Sequence, residues 1–177
     1  ALRSYTPYDY DLSAGHFDLT FYDHGGGVAA PWSRRAQPGD SVVVLGPKQS
    51  LRLGPDRDWA VFLGDESTLG LWAALADRLP AGAPLLGAVE MHARNERALT
   101  ALGLPLDAAV RGQRRGEALL HWLDGLPALE GAGAFYLSGH VASVRALRSR
   151  LLEMGVPEAQ IRCKAYWGEG RKKAPRP

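Results

Sequence analysis

The sequence predicts an α/β fold: an open, mostly parallel sheet with helices on both faces, preceded by a β-rich segment. Three observations carry this. After about Gly54, short apolar runs alternate with runs of helical period, the pattern of βαβ units. Before it, apolar residues recur with period two, as in half-buried strands. The helical runs stop where proline or glycine forbids their continuation, at Pro80 and Gly103. The chain therefore divides into residues 1–54 and 55–177.

In order along the chain, "RSYT" (3–6) places Arg3 and Tyr5 on one face of a strand, Ser4 and Thr6 on the other. "HFDLTFYDH" (16–24) alternates Phe17, Leu19 and Phe21 against polar neighbours, a strand pattern. "GGGVAAPWSRRA" (25–36) opens on glycines and continues as a helical turn, and "PGDSVVVLGP" (38–47) reads as a turn and a short strand. "WAVFLG" (59–64) is a compact apolar strand and "STLGLWAALADRLP" (67–80) a helix. "PLLGAVEM" (84–91) and "ARNERALTALG" (93–103) repeat that unit. "LDAAV", "GEALLHWLDGL", "AFYLSG" and "VASVRALRSRLLEMG" continue it, and "IRCKAYW" (161–167) closes it as a last strand.

Composition narrows the function. With 177 residues, 46% hydrophobic and 23% charged, the chain is an ordinary globular one, long enough to bury a core. The net charge is +2, and much of the surplus lies in the terminal "GRKKAPRP", so the body lacks the basic face a nucleic-acid binder needs. The single cysteine, Cys163, excludes an internal disulfide and a cysteine-only metal cluster. No apolar run is long enough to span a membrane and no targeting signal opens the chain, so a cytoplasmic protein without membrane insertion is expected.

Four stretches can carry chemistry. A guanidinium suits a pyrophosphate, a phenol ring a flat heterocycle, and hydroxyls its heteroatoms, which makes Arg3, Ser4, Tyr5 and Thr6 a candidate cofactor strand. "GDEST" (64–68) joins an apolar strand to a helix, where α/β sheets bind phosphates. Ser67 or Thr68 serves equally as a plain N-cap, and Asp65 and Glu66 would repel a phosphate. "HGGGVAAPW" (24–32) offers consecutive amides as an anion nest or forms a simple loop. "KAYWGEGR" (164–171) ends the last strand with Tyr166 and Trp167 on opposite faces, flanked by cations. His140, in "LSGH", either starts a site or starts a helix, and His24 lacks a second histidine at ligand spacing, so no metal is expected.

Taken together and in order, "RSYTPYDYD", "FDLTFYDHG", "GVAAPW", "AQPGD", "LGPKQS", "DWAVFLGDES", "FYLSG" and "KAYWGEGR" resemble the siderophore-interacting proteins. These are FAD-dependent ferric-siderophore reductases with a ferredoxin-reductase-like fold, a Greek-key FAD-binding barrel joined to a nicotinamide-nucleotide-binding α/β domain. The resemblance implies an FAD site at Arg3, Ser4, Tyr5 and Thr6, with the arginine on the pyrophosphate and the tyrosine and threonine flanking the isoalloxazine. It extends that site to Thr20, Phe21, Tyr22, Asp23 and His24, to Gly27, Val28, Ala29, Ala30 and Trp32 around the pyrophosphate, and to Tyr166 and Trp167. NAD(P)H is assigned to Gly64, Asp65, Glu66, Ser67, Thr68, Gly139 and His140, and the siderophore to Lys164 and Arg171.

Three departures from the family pattern stand out. Thr68 and Gly70 replace the alanine and proline of GDETALP, His140 replaces the acid of the AGE turn, and Val28 replaces proline. These leave the nicotinamide preference open, with ferredoxin as another possible donor. In the family, the RxYT strand follows roughly three earlier strands of a six-stranded barrel. A chain opening at that strand predicts either a fragment or a short natural protein, with an exposed half-barrel through which it could associate. The expected activity is flavin-mediated reduction of Fe(III) in a siderophore. The rival readings are a non-catalytic nucleotide- or flavin-binding module and another flavin reductase of the superfamily.

Overall fold

Five parallel strands in the order β5-β4-β3-β6-β7 form the centre of the molecule. They are β3 (Ala60–Asp65), β4 (Leu85–Met91), β5 (Asp107–Val110), β6 (Ala134–His140) and β7 (Ile161–Trp167). The computed structural model describes residues 3–25, 28–46, 51–55 and 58–168. Every residue of β3 and β6 is buried, which explains why both read as unbroken apolar runs rather than alternating ones.

Helices cover both faces. Helix α2 (Leu69–Ala76) and α3 (Arg97–Ala101) pack Leu71, Trp72, Leu75 and Leu99 against Phe62, Val89, Met91 and Tyr136. On the other face, α4 (Glu117–Asp124) and α5 (Val141–Glu153) pack Leu119, Leu123, Leu147 and Leu151 against Val61, Leu63, Phe135 and Leu137. Phe62 lies between Val61 and Leu63 in sequence and faces the opposite layer, as strand geometry requires. Trp72 is fully buried and stacks on Phe62 at 4.8 Å.

The N-terminal region holds a two-stranded antiparallel ribbon, β1 (Tyr8–Asp11) and β2 (His16–Asp18), and one short helix, α1 (Ala29–Ser33). The Asp11 carboxylate closes the ribbon's turn by accepting from Ser13 and Ala14, and these hydrogen bonds hold its pKa below the usual value.

Several expectations are corrected here. The strand expected over 16–24 is confined to His16–Asp18, and Arg3–Thr6 and Ser41–Leu45 join no ladder among the described residues. Period-two alternation identifies a face, but a strand also needs a hydrogen-bonded neighbour. The helix expected over 93–103 starts as a 3₁₀ turn, Ala93–Asn95, before α3. The turn before α2 is capped by neither Ser67 nor Thr68: the Asp65 carboxylate accepts from the Ser67 N–H. Gly27, Arg171 and the basic tail lie outside the described residues.

Candidate functional site

Strand order reverses between β3 and β6, and at such a point the connections leave in opposite directions and open a crevice at the carboxyl ends. Gly64–Thr68 and Gly139–His140, the expected nucleotide residues, meet there. Asp65 is the keystone of the arrangement. Its Oδ2 accepts from the His140 backbone N–H at 2.9 Å and the Trp167 indole at 3.1 Å, so one carboxylate links β3, β6 and β7. A Cβ at residue 139, where φ is +104°, would sit 2.6 Å from that oxygen; only glycine fits.

The two acids expected to repel phosphate are thus both turned into the protein. Asp65 is 5% and Glu66 2% exposed. Glu66 pairs with Arg111 and accepts from the His92 N–H and the Asn95 amide. Thr68 is fully buried and donates to the Asp65 carbonyl at 2.7 Å. Glu66 and Thr68 therefore brace the turn, while Gly64, Gly139 and His140 lie at the carboxyl ends of β3 and β6 and Ser67 in the turn that follows β3. His140 also caps α5, its Nδ1 accepting from the Ala142 N–H.

Arg111, which sequence reasoning did not select, organises the neighbouring strand end. Its guanidinium pairs with Glu66, lies 3.6 Å from a Glu90 oxygen and donates to the Glu90 carbonyl. The Tyr22 phenol of the N-terminal region lies near the same guanidinium. Burial pushes the Glu90 carboxyl pKa up, against the opposing pull of the Gly116 N–H and Arg111. The available signal was the arginine-rich "RGQRRG" after β5, at the carboxyl end of the sheet.

The N-terminal region joins this edge from the α2 side. Thr6 Oγ1 and Tyr166 Oη lie 2.8 Å apart, and the Thr6 carbonyl passes 3.0 Å from where a Cβ on Gly70 would be. A larger residue at Gly70 would press on that carbonyl, so the departure from the family's proline lets the segment sit close. Tyr5 packs against Phe21 (4.7 Å between tilted rings) and Phe21 against Trp32 (5.7 Å, also tilted), so three expected flavin residues form one aromatic row. Burial raises the Tyr5 phenol pKa, with Arg3 opposing, although the residue remains 38% exposed. Arg3 and Ser4 are exposed.

The remaining expected residues are less closely gathered. Asp23 pairs with Arg34 and accepts from Gly25, while His24 lies 6.0 Å from the Tyr22 ring. Val28 is exposed at the start of α1, where it supplies no side-chain cap, and Ala30 is buried within that helix beside half-buried Ala29. Trp167 points away from Tyr166, against His140 (4.6 Å) and beneath Arg115 (4.5 Å). Among the described residues, it is Tyr166 that bonds to the N-terminal region, through Thr6. Lys164 is exposed on β7, its carbonyl accepting from Ser138.

Two family models divide the chain between them. The one described as siderophore-interacting FAD-binding domain matches residues 1–51, and the one described as siderophore-interacting protein matches 57–170. The chain belongs to the siderophore-interacting protein family. Over 65 residues, it is 42% identical to the NADPH-dependent ferric-chelate reductase of Escherichia coli K12, covering 37% of this chain and 25% of that protein. Over 178 residues it is 25% identical to the ferric vibriobactin reductase of Vibrio cholerae serotype O1, covering 96% of this chain and 65% of that one. The match thus spans a quarter of the first relative and 65% of the second.

Among solved structures, a siderophore utilization protein from T. fusca superposes with a TM-score of 0.80 at 27% identity, over 98% of this chain and 68% of that one. The siderophore-interacting protein of Aeromonas hydrophila gives 0.75 at 22%, over 94% and 73%. The ferredoxin-reductase-like fold of this family member is therefore established. Among the described residues, no His, Cys, Asp and Glu side chains group as a metal site, and no helix is long and apolar enough to cross a membrane.

Proposed function

We propose that this siderophore-interacting protein holds FAD along Arg3–Thr6 and Thr20–His24 and reduces Fe(III) presented by a siderophore, using a nicotinamide donor bound at the β3/β6 crevice. The observation that carries the reading is the Thr6–Tyr166 contact, 2.8 Å, between the Arg3–Thr6 segment and the carboxyl end of β7. The residues present fit FAD. Thr20 Oγ1 is buried with no hydrogen-bond partner, a hydroxyl that a ring heteroatom of the cofactor could satisfy. The part-exposed Tyr5 ring, backed by Phe21, offers a surface for a flat heterocycle, and Arg3 supplies a guanidinium for a pyrophosphate.

FAD, once bound, would supply the redox chemistry, two-electron acceptance from a nicotinamide and one-electron donation to Fe(III). The protein's part is placement. Tyr5 orients the ring system, Arg3 neutralises phosphate charge, and Gly64, Ser67, Gly139 and His140 border the donor's entry. No side chain needs to exchange a proton with the siderophore. Lys164, exposed on the outer strand, attracts an anionic ferric chelate, and Arg171 extends that role.

The test is spectroscopic. The purified chain incubated with FAD should retain flavin absorbance after desalting, bleach anaerobically with NADH or NADPH, and regain its colour as a ferric siderophore is reduced. Failure to retain flavin, or flavin that no nicotinamide bleaches, overturns the proposal.

A further inference from the structure

Alanine is the better helix residue, so a glycine inside a helix needs a reason. Gly70, the second residue of α2, does not have a conformational one. Its φ lies outside the left-handed region, and its backbone is open to an ordinary side chain. The reason is space. Three groups of the N-terminal region converge on the point where a Cβ would stand: the Thr6 carbonyl at 3.0 Å, the Tyr8 ring at 3.7 Å and the Thr20 Cβ at 3.8 Å.

The helix side of this contact cannot yield. Leu69 and Leu71 are buried in the core, and Trp72 stacks on Phe62. The Asp65 carboxylate caps the turn that leads into α2. The N-terminal side can yield, because Thr6 and Thr20 join no ladder among the described residues. Thr6 is held from two directions: its carbonyl rests on Gly70, and its hydroxyl meets Tyr166 at 2.8 Å. Thr20, whose buried Oγ1 has no hydrogen-bond partner, rests on the same point of α2. A methyl group at residue 70 would therefore push Thr6 by a few tenths of an ångström and disturb both of its contacts.

We propose that Gly70 is a positioning residue for the flavin: its missing side chain seats Thr6 and Thr20 directly on α2, and a side chain there weakens FAD binding while leaving the α/β unit intact. The inference rests on the flavin site proposed above and identifies what places it. The test compares wild type, Gly70→Ala, Tyr166→Phe and the double variant Gly70→Ala/Tyr166→Phe in the 177-residue chain. FAD affinity is read by flavin fluorescence titration, stability by thermal melting without FAD, and the backbone amides of Thr6, Tyr8 and Thr20 by hydrogen exchange.

Gly70→Ala should raise the FAD Kd about three- to tenfold, the scale of one hydrogen bond. Its melting temperature should equal or exceed that of wild type, because alanine favours the helix. Affinity and stability then part company, which a packing role alone would not produce. Since Gly70 and Tyr166 both act through Thr6, the double variant should bind FAD at most about twofold more weakly than the weaker single variant. An unchanged Kd in Gly70→Ala overturns the inference. So does a melting temperature that falls in step with affinity, and so do losses that multiply in the double variant. A wild type that binds no FAD removes the flavin site proposed above. The seating of Thr6 and Thr20 on Gly70 is then decided by exchange: faster exchange of those amides in Gly70→Ala, with β3 and β6 unchanged, supports it, and equal exchange overturns it.

Discussion

The two ends of this chain use the same residue types in opposite ways. In β3 and β6, consecutive apolar residues vanish into the sheet, with Val61, Phe62, Leu63 and Leu137 fully buried. In Ser41–Leu45, Val42, Val43, Val44 and Leu45 are 62–84% exposed. Both read as strands by composition. What separates them is coverage: β3 has strands on both sides and helices on both faces, whereas 41–45 joins no ladder among the described residues. An apolar run is thus a capacity for burial, and its energy appears only where other elements close over it.

The sharpest way to break that comparison is to truncate one residue at each end. Trp72→Ala should cost about 3–5 kcal/mol by chemical denaturation, because it removes a fully buried ring stacked on Phe62. Val43→Ala, at 84% exposure, should stay within about 0.5 kcal/mol. Similar losses would mean that 41–45 is covered in solution.

Arg111→Met leaves Glu66 buried without its cation, and should cost about 3 kcal/mol in the α/β unit. It should also loosen Tyr22, detected as faster proteolysis of the N-terminal region. Loss of stability without that change would show the two regions to be independent.

Tyr5→Ala should weaken FAD binding by about 1–3 kcal/mol, the scale of aromatic stacking on a base, with little change in the melting of the α/β unit. Equal loss of both would make Tyr5 a packing residue. Tyr166→Phe removes one hydroxyl from the Thr6 contact, and should cost about 1 kcal/mol of FAD affinity, measured by flavin fluorescence titration.

The smallest effect is a slope with pH. Burial raises the Glu90 pKa above its ordinary value of 4.5, so the folded state holds that proton more tightly than the unfolded chain does. The protonated carboxyl favours folding below pH 4.5, and this contribution is lost as pH rises through the raised value. Glu90→Gln cannot titrate there. Its melting temperature relative to wild type should therefore climb between pH 4.5 and 8, and a flat difference would place Glu90 among ordinary carboxylates.

Each α/β element was legible in the sequence. Period, length and the stops at Pro80 and Gly103 depend on local chain geometry, which a single sequence encodes. So was the aromatic and hydroxyl character of Tyr5, Thr6 and Tyr166. The functions of the acids were not. Asp65 and Glu66 look like exposed turn carboxylates in sequence, and their partners are Trp167, 102 residues away, and Arg111, 45 residues away.

The sequence by itself determined the sheet's strands, the helices between them and the residue types available to a flavin and a nucleotide. Only the tertiary structure decided which of those residues turn inward and which stay at the carboxyl ends of the strands. It turned Glu90 inward to hold the Arg111–Gly116 loop, set Tyr166 against Thr6 and sent Trp167 to the opposite face. The physical reason is that periodicity fixes a side chain's direction relative to its own strand, whereas hydrogen-bond partners and charge compensation depend on contacts between segments far apart in the chain.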